Sequence, residues 1–367
     1  MGIRGSKGCA NRASNQHSST ANSIIKPWTE QNLGQVCGHE KGIQGWRNSG
    51  YLDATLFCIF SFSNVLDRIL LPGYRKADNS RNETLISGHV QTILRDEIVN
   101  PLRKDFFLPA GKVMKLRKEM AVFDAKLTSE EMDPLEFMYV LFSEVLNLEE
   151  FLSLSSGQSD YFHQILVARE GRGRTPTIQQ IFEESLIVQE LKLKGVPKPV
   201  LILQMSRTNS WKSFEYIIPS LRMDITHLLE EGPSSEKFQK DGKLKQSTFG
   251  NTLLGSGEKS TVFRKTESNR RVTMELFAVI CIDGHHVTSF VKSGPSLQAP
   301  WVYFDSMGQT ATPGSDHIIP KIRVLPEMGV WLTRLEDSLD VKKILQEEIF
   351  SQELKLLLTD SYIYLYS

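Results

Sequence analysis

The stretch GIQGWRNSGYLDATLFCIFSF, residues 42–62, decides the fold. Its first half is rich in glycine and polar residues, and Asn48-Ser49-Gly50 reads as a turn and N-cap. From Tyr51 to Leu71, apolar side chains stand at Leu52, Leu56, Phe57, Ile59, Phe60, Phe62, Val65, Leu66, Ile69 and Leu70. They recur at three and four residues, so the spacing predicts a well-buried helix. A turn that feeds the head of such a helix offers backbone N–H donors and a positive partial charge. That setting lowers a thiol pKa and can hold an oxyanion.

Outward from this segment, helical spacing continues over about 84–104, ending near Pro101, then over about 109–122 and 133–149. Thr128-Ser129-Glu130-Glu131 looks like the capping box that opens the last of these. The texture then turns to strands. Residues 160–168 alternate, 199–205 (PVLILQM) read as a buried strand, and Phe214 to Ile218 is a further candidate. Glu275–Lys292 holds two strands around an Asp283-Gly284 hairpin signal, and Ala299–Met307 is another strand. Val341–Leu358 has helical spacing, and Ser361–Ser367 closes as a strand. Helices first, then a mainly antiparallel sheet, is the order of an α+β domain.

Composition bounds the remaining classes. The 367 residues carry 43 Lys+Arg against 43 Asp+Glu, which excludes a globally basic nucleic-acid binder, and no nucleic-acid partner is expected. With 40% hydrophobic residues the chain can fill a large core. Cys9, Cys37, Cys58 and Cys281 are scattered without a CxxC pair, so neither a zinc ribbon nor a disulfide scaffold is expected, and the setting is a reducing, cytoplasmic one. Residues 1–40 read as a disordered tail. Its start, Met1-Gly2-Ile3-Arg4-Gly5-Ser6, fits an N-myristoylation pattern at Gly2, and Cys9 could take a second acyl chain. Residues 1–28 hold Arg4, Lys7, Arg12 and Lys26 and no acidic residue, so an acylated tail would suit a membrane surface. Residues 232–272 are Gly/Ser/Lys-rich, with nine basic and four acidic residues, and read as a flexible insertion in a domain spanning 41–367.

Chemistry converges on a thiol-protease plan. The head of the predicted helix is one part, the pair His285-His286 at a strand start is the second, and Asp305 at a strand end is the third. Asp305 could orient a histidine and fix its tautomer. Taken alone the signal is weak, since a strand-end Asp is usually a turn former and a lone His is usually structural.

Residues 42–62 resemble the cysteine box of the ubiquitin-specific proteases. Further matching text is EIVNPLR at 97–103, VMKLRK at 113–118, PTIQQ at 176–180, LILQM at 201–205, MELFAVICI at 274–282 and FDSM at 304–307. The resemblance runs from about 41 to 366. It implies a papain-like ubiquitin-specific protease fold, with a helical thumb and a β-rich palm and fingers that grip ubiquitin. It also implies that His286 is the general base, with His285 as the fallback if the register slips, and that Asp305 is the acid that orients it. Asn48 would cap the helix or support the oxyanion site.

The sequence departs from the family at one position that matters. The residue after Asn-Ser in this box is the family's nucleophilic cysteine, and here it is Gly50. Glycine cannot form a thiolate or an acyl-enzyme. Cys58 lies two turns on, about 12 Å along the helix, inside an apolar run. Cys37 could approach only by chance. The family's zinc-binding cysteine pairs are also missing, so no metal and no cofactor is expected. The expectation is therefore a domain that binds ubiquitin or polyubiquitin without cleaving it. The alternatives are an active cysteine isopeptidase on linear or extended lysine-linked chains, should Gly50 be a sequence error or variant, and a scaffold without ubiquitin binding.

Overall fold

Helix α1, Gly50–Phe60, is buried at every residue after its first. Its polar members turn inward on the backbone: Thr55 Oγ1 donates to the Tyr51 carbonyl at 2.7 Å and Ser61 Oγ to that of Phe57 at 2.6 Å. The helix stops at Phe60 rather than running to Leu71. Ser61, Ser63 and Asn64 offer side-chain hydrogen bonds that compete with the helical ladder, and Asp67–Leu70 follows as a separate 3₁₀ turn.

The computed structural model describes residues 25–37, 41–74, 76, 81–167, 174–205, 214–230, 271–310, 318–338, 341–347 and 350–367. Gly2, Cys9 and nearly all of the insertion read at 232–272 lie outside them. Ile25–Cys37 belong to the packed structure, earlier than the sequence boundary at residue 40. Trp28 Nε1 donates to the Ser293 carbonyl at 2.6 Å, its ring meets Phe62 and Phe106 edge-on, and Val36 is buried. These anchors have no period, which is why the segment reads as tail.

The strand pair β1 (Gly42–Ile43) and β2 (Phe107–Leu108) is parallel. Between its two strands run α2 (Arg81–Ile93), a π turn at Leu94–Val99 and α3 (Asn100–Asp105). Pro101 does not end this helical run. It is the second residue of α3, which continues directly from the π turn, and Phe106 at φ 57° ends the run instead. Then come α4 (Ala110–Met120) and α5 (Pro134–Tyr139), the latter extended by a π turn at Val140–Val145. The capping box expected at Thr128 is absent. Asp133 caps α5, accepting from the Leu135 N–H at 2.7 Å, with Pro134 in the first turn.

The small antiparallel pair β3 (Leu152–Ser153) and β4 (Ser159–Asp160) leads into β5 (His163–Ile165). Helix α6 (Ile178–Val188) opens with a reciprocal capping box between Thr177 and Gln180. Strands β6 (Leu201–Met205), β7 (Arg222–Asp224), β8 (Thr273–Asp283), β9 (His286–Lys292), β10 (Trp301–Thr310) and β11 (Ile318–Leu325) follow. Helices α7 (Met328–Glu336), α8 (Val341–Glu347) and α9 (Gln352–Asp360) precede β12 (Ser361–Tyr366). The main sheet has the order β11-β10-β9-β8-β12-β6-β5, antiparallel except for β5 against β6. The α+β expectation holds. Phe214–Ile218 contributes only an isolated bridge from Ile218 to Thr177, not a strand. The long helix read over 341–358 is two helices, because Ser351 caps α9 by accepting from the Leu354 N–H.

The sheet separates two cores. Val302 and Phe304 face the α1 side, where Phe57 and Phe304 stack at 4.1 Å, while Trp301 and Tyr303 join the α6, α7 and α9 side. On the α1 side the fully buried Arg103 is the main polar tie. It donates to the carbonyls of Phe60 (2.7 Å), Ser63 (2.6 Å) and Lys26 (2.9 Å) and pairs with Asp67 at 2.8 Å. Arg103→Met should cost about 3 kcal/mol in chemical denaturation, because it strands these acceptors. A loss below about 1 kcal/mol would show that the fork holds nothing together.

Candidate active site

The loop that precedes α1 is pressed against the end of β10. A Cβ at Gly45 would lie 2.6 Å from the Ser306 carbonyl oxygen, so only glycine permits this approach. Gly42 is constrained twice, by φ of 80° and by Phe304 and Ile322 at 2.7 Å from where a Cβ would stand. Arg47 and Asn48 carry positive φ values of 26° and 56°, which turn the chain into the helix. The fully buried Arg117 holds that turn. Its Nη1 donates to the Arg47 carbonyl (3.1 Å), its Nε to Leu127 (2.6 Å) and its Nη2 to Glu130 (3.1 Å).

Ser49 occupies the N-cap position but does not cap with its side chain. Its Oγ accepts from the Trp46 N–H at 2.9 Å and donates to Asp53 Oδ2 at 2.6 Å. Asp53 is wholly buried, and burial pushes its carboxyl up to about 8, with the Ser49 bond opposing. It is therefore largely neutral at pH 7. Ser306 lies near enough to favour the ionised carboxyl, yet Asp53 Oδ1 and Ser306 Oγ are both buried without a hydrogen-bond partner. Asn48 is not the cap either. Its amide donates to the Ser129 carbonyl at 3.2 Å, tying the loop to the 125–130 segment.

Gly50 is the first residue of α1. Unlike Gly42 and Gly45, it is not required by the backbone. A Cβ there would meet only Met307 Cγ at 3.5 Å and Ser306 Oγ at 3.9 Å, both ordinary contacts. The two residues that touch this position follow Asp305 directly. Asp305 Oδ1 takes a hydrogen bond from the Met307 N–H at 2.9 Å and shares a proton with His286 Nε2 at 2.8 Å. Asp305 is buried and the His286 side chain is 44% exposed. The hydrogen bond to Asp305, followed by its charge, raises the His286 pKa above the ordinary value, against the effect of burial. With Nε2 committed to Asp305, Nδ1 is the nitrogen left for proton exchange.

The β8–β9 turn decides between the two histidines. Asp283 pairs with His286, and Gly284-His285 form the two-residue loop, with Gly284 at φ 61°. His285 is therefore a turn residue, its side chain 96% exposed and 3.5 Å from Glu131. Cys58 is fully buried, and burial raises its thiol pKa, so it is an inert core residue. Cys37 is exposed, 3.9 Å from the Ile322 carbonyl. The sequence reading missed Arg117 and Gly45 as parts of this site. Both sit in the text quoted for the resemblance, but neither carries a spacing signal of its own.

The structure thus brings together a histidine held by a buried carboxylate, on β9 and β10, and the head of α1, against which the end of β10 packs. No family model matches the chain. The ubiquitin carboxyl-terminal hydrolases CYLD of Homo sapiens and Pongo abelii are each 36% identical to it over 358 residues, covering 86% of this chain and 37% of the relative. The Bos taurus protein of that name is 36% identical over 352 residues, covering 84% and 36%. The chain thus spans little more than a third of these relatives. It belongs to their family, the ubiquitin-specific proteases, on the CYLD-like branch. Among solved structures, a SAGA DUB module bound to monoubiquitin is 10% identical over 95% of this chain and 72% of its own, with a TM-score of 0.47.

Two outcomes check this geometry. Gly45→Ala should cost about 1–3 kcal/mol, measured by denaturation, through overpacking against Ser306. The His286 imidazole, followed by NMR, should titrate above 6.5, and Asp305→Asn should lower that midpoint. The stabilisation from the imidazolium is present below the unfolded histidine value and is lost as pH rises through the raised folded one. An unchanged midpoint in Asp305→Asn would break the assignment of the pair.

Proposed function

We propose that this domain binds ubiquitin or ubiquitin chains and does not hydrolyse them. One observation supports the reading: Gly50 stands where the family resemblance puts the nucleophile, while His286 and Asp305 at the other two positions are paired. Ser49 does not cap the helix head with its side chain, and a Cβ at Gly50 would make only ordinary contacts. The family supplies the ligand, since the relatives are named as ubiquitin carboxyl-terminal hydrolases. Removing the nucleophile of such a triad costs about a millionfold in rate in a serine-protease example. Cys58 is no substitute, because it is buried in the core two turns along α1.

The same vacancy supports a second reading. If Gly50 is a variant of a chain that otherwise carries cysteine, the Cβ of that cysteine would make only ordinary contacts and the protein would be an isopeptidase. A ubiquitin probe with a C-terminal electrophile tests both. Wild type should remain unlabelled, and Gly50→Cys should form the covalent adduct. Labelling of wild type would overturn the proposal. Sequencing independent transcripts would show whether position 50 is glycine in the expressed message.

A further inference from the structure

We propose that the groove between the end of α1 and the far ends of β8 and β9 binds an aliphatic carboxylate, with its chain among Trp28, Phe62 and Phe277 and its carboxylate on Lys292. This site is separate from the one around Gly50. His286 opens β9 and Lys292 closes it, so the two lie about 20 Å apart along the strand. The groove does not depend on ubiquitin binding.

Three parts of the chain build the groove. Trp28 comes from the segment before β1, Phe62 and Val65 follow α1, and Glu275, Phe277 and Lys292 come from the sheet. It encloses about 600 Å³, within the ~300–1,000 Å³ of ordinary small-ligand pockets, and its lining is chiefly apolar. Its walls are held in place by the protein itself. The Trp28 backbone N–H donates to Asn64 Oδ1 at 3.2 Å, its indole Nε1 donates to the Ser293 carbonyl at 2.6 Å, and Phe62 meets the ring edge-on at 4.6 Å. Phe277 sits at a β-bulge. Against β12, Ala278 pairs with Leu365 and Leu276 with Tyr366, so Phe277 is the extra residue. Strict alternation would put Phe277 and Ala278 on opposite faces of the sheet, yet both belong to the α1-side core. The bulge turns Phe277 to this side.

The charge balance in the wall favours an anion. The Lys292 side chain is only 3% exposed, and its ammonium carries three donors. Among the described residues its ion-pair partner is Glu275, at 3.3 Å. Glu275 also pairs with Arg222 at 3.0 Å, so two cations share one carboxylate, and the buried one is at the longer distance. Ser367 borders the same groove and exchanges backbone hydrogen bonds with Glu275 (2.9 and 3.0 Å), but among the described residues it forms no ion pair with Lys292. A buried ammonium held by one long contact is costly, and a ligand carboxylate would give it charge-assisted hydrogen bonds. The aromatic walls beside it exclude a small hydrophilic anion as the best fit and favour a hydrocarbon chain, whose burial is favourable in proportion to its area. An aliphatic acid satisfies both parts at once.

The test is calorimetric titration of the full chain with decanoate, dodecanoate and decanamide, the amide differing from decanoate only at its head group. Decanoate should bind about tenfold more tightly than decanamide. Dodecanoate should bind about tenfold more tightly than decanoate, for two further buried methylenes. Lys292→Met keeps an apolar stem and removes the charge, so the preference for carboxylate over amide should fall to within about twofold. Val65→Trp fills the groove from its rim and leaves Lys292 in place, so binding of all three ligands should be lost. That variant carries the test should Lys292→Met fail to fold. Equal binding of decanoate and decanamide to wild type would overturn the proposal, and so would the absence of measurable binding. A carboxylate preference that persists in Lys292→Met, or affinity unchanged in folded Val65→Trp, would place the ligand elsewhere and overturn it too.

Discussion

The approach of Gly45 to the carbonyl of Ser306 is the constraint on which the site depends. Two segments separated by some 260 residues of sequence meet there without room for a methyl group. One brings the head of α1, and the other brings Asp305, Ser306 and Met307. The stacking of Phe57 on Phe304, two helical turns from Gly50 and two residues before Ser306, sets the same two elements at a fixed distance in the core. Because helix and strand are each rigid, this contact places position 50 against Ser306 and Met307, the two residues that follow Asp305.

Around that contact, the polar groups serve position rather than solvation. Arg117 donates from each of its three nitrogens to a backbone carbonyl, so the turn at Arg47 and Asn48 is held by a charge with no carboxylate partner among those bonds. Asp53 lies inside, bonded by Ser49 and predominantly protonated. A neutral carboxyl beneath the helix head leaves the dipole of α1 uncancelled from below, and the cap residue is spent on holding Asp53 instead of closing the helix. The result is a positive, unclosed helix end, kept so by its own neighbours.

Much of this was readable from the residues alone, and for definable reasons. The helix at 50–60, the β8–β9 hairpin, β10 and β12 have strong periodicity or a Gly turn signal, and these are local. The choice of His286 over His285 follows from a two-residue loop whose glycine takes a positive φ. What stayed hidden depends on distant partners. β11 contains Pro320, which demotes a strand reading, yet it lies at the sheet edge, where a missing N–H is tolerated. The Trp28 segment has anchors but no period, and its hydrogen bond reaches Ser293. Arg117 looks like one more basic residue on an amphipathic helix until its carbonyl partners are seen. The capping box read at Thr128 failed because Asp133-Pro134 gives a stronger helix start five residues later.

The position of β12 has a consequence for how the molecule is made. This strand, residues 361–366, lies between β8 and β6, in the interior of the main sheet rather than at an edge. Until it has left the ribosome, β6 and β8 cannot share a sheet, and each presents an unpaired edge lined with apolar side chains. The parallel β5–β6 pair and the β8–β9 hairpin can form earlier as separate pieces, but they are joined only once residues 361–366 have emerged. Until then both sheet edges stay open, which is the condition under which chaperones are engaged and aggregation competes with folding.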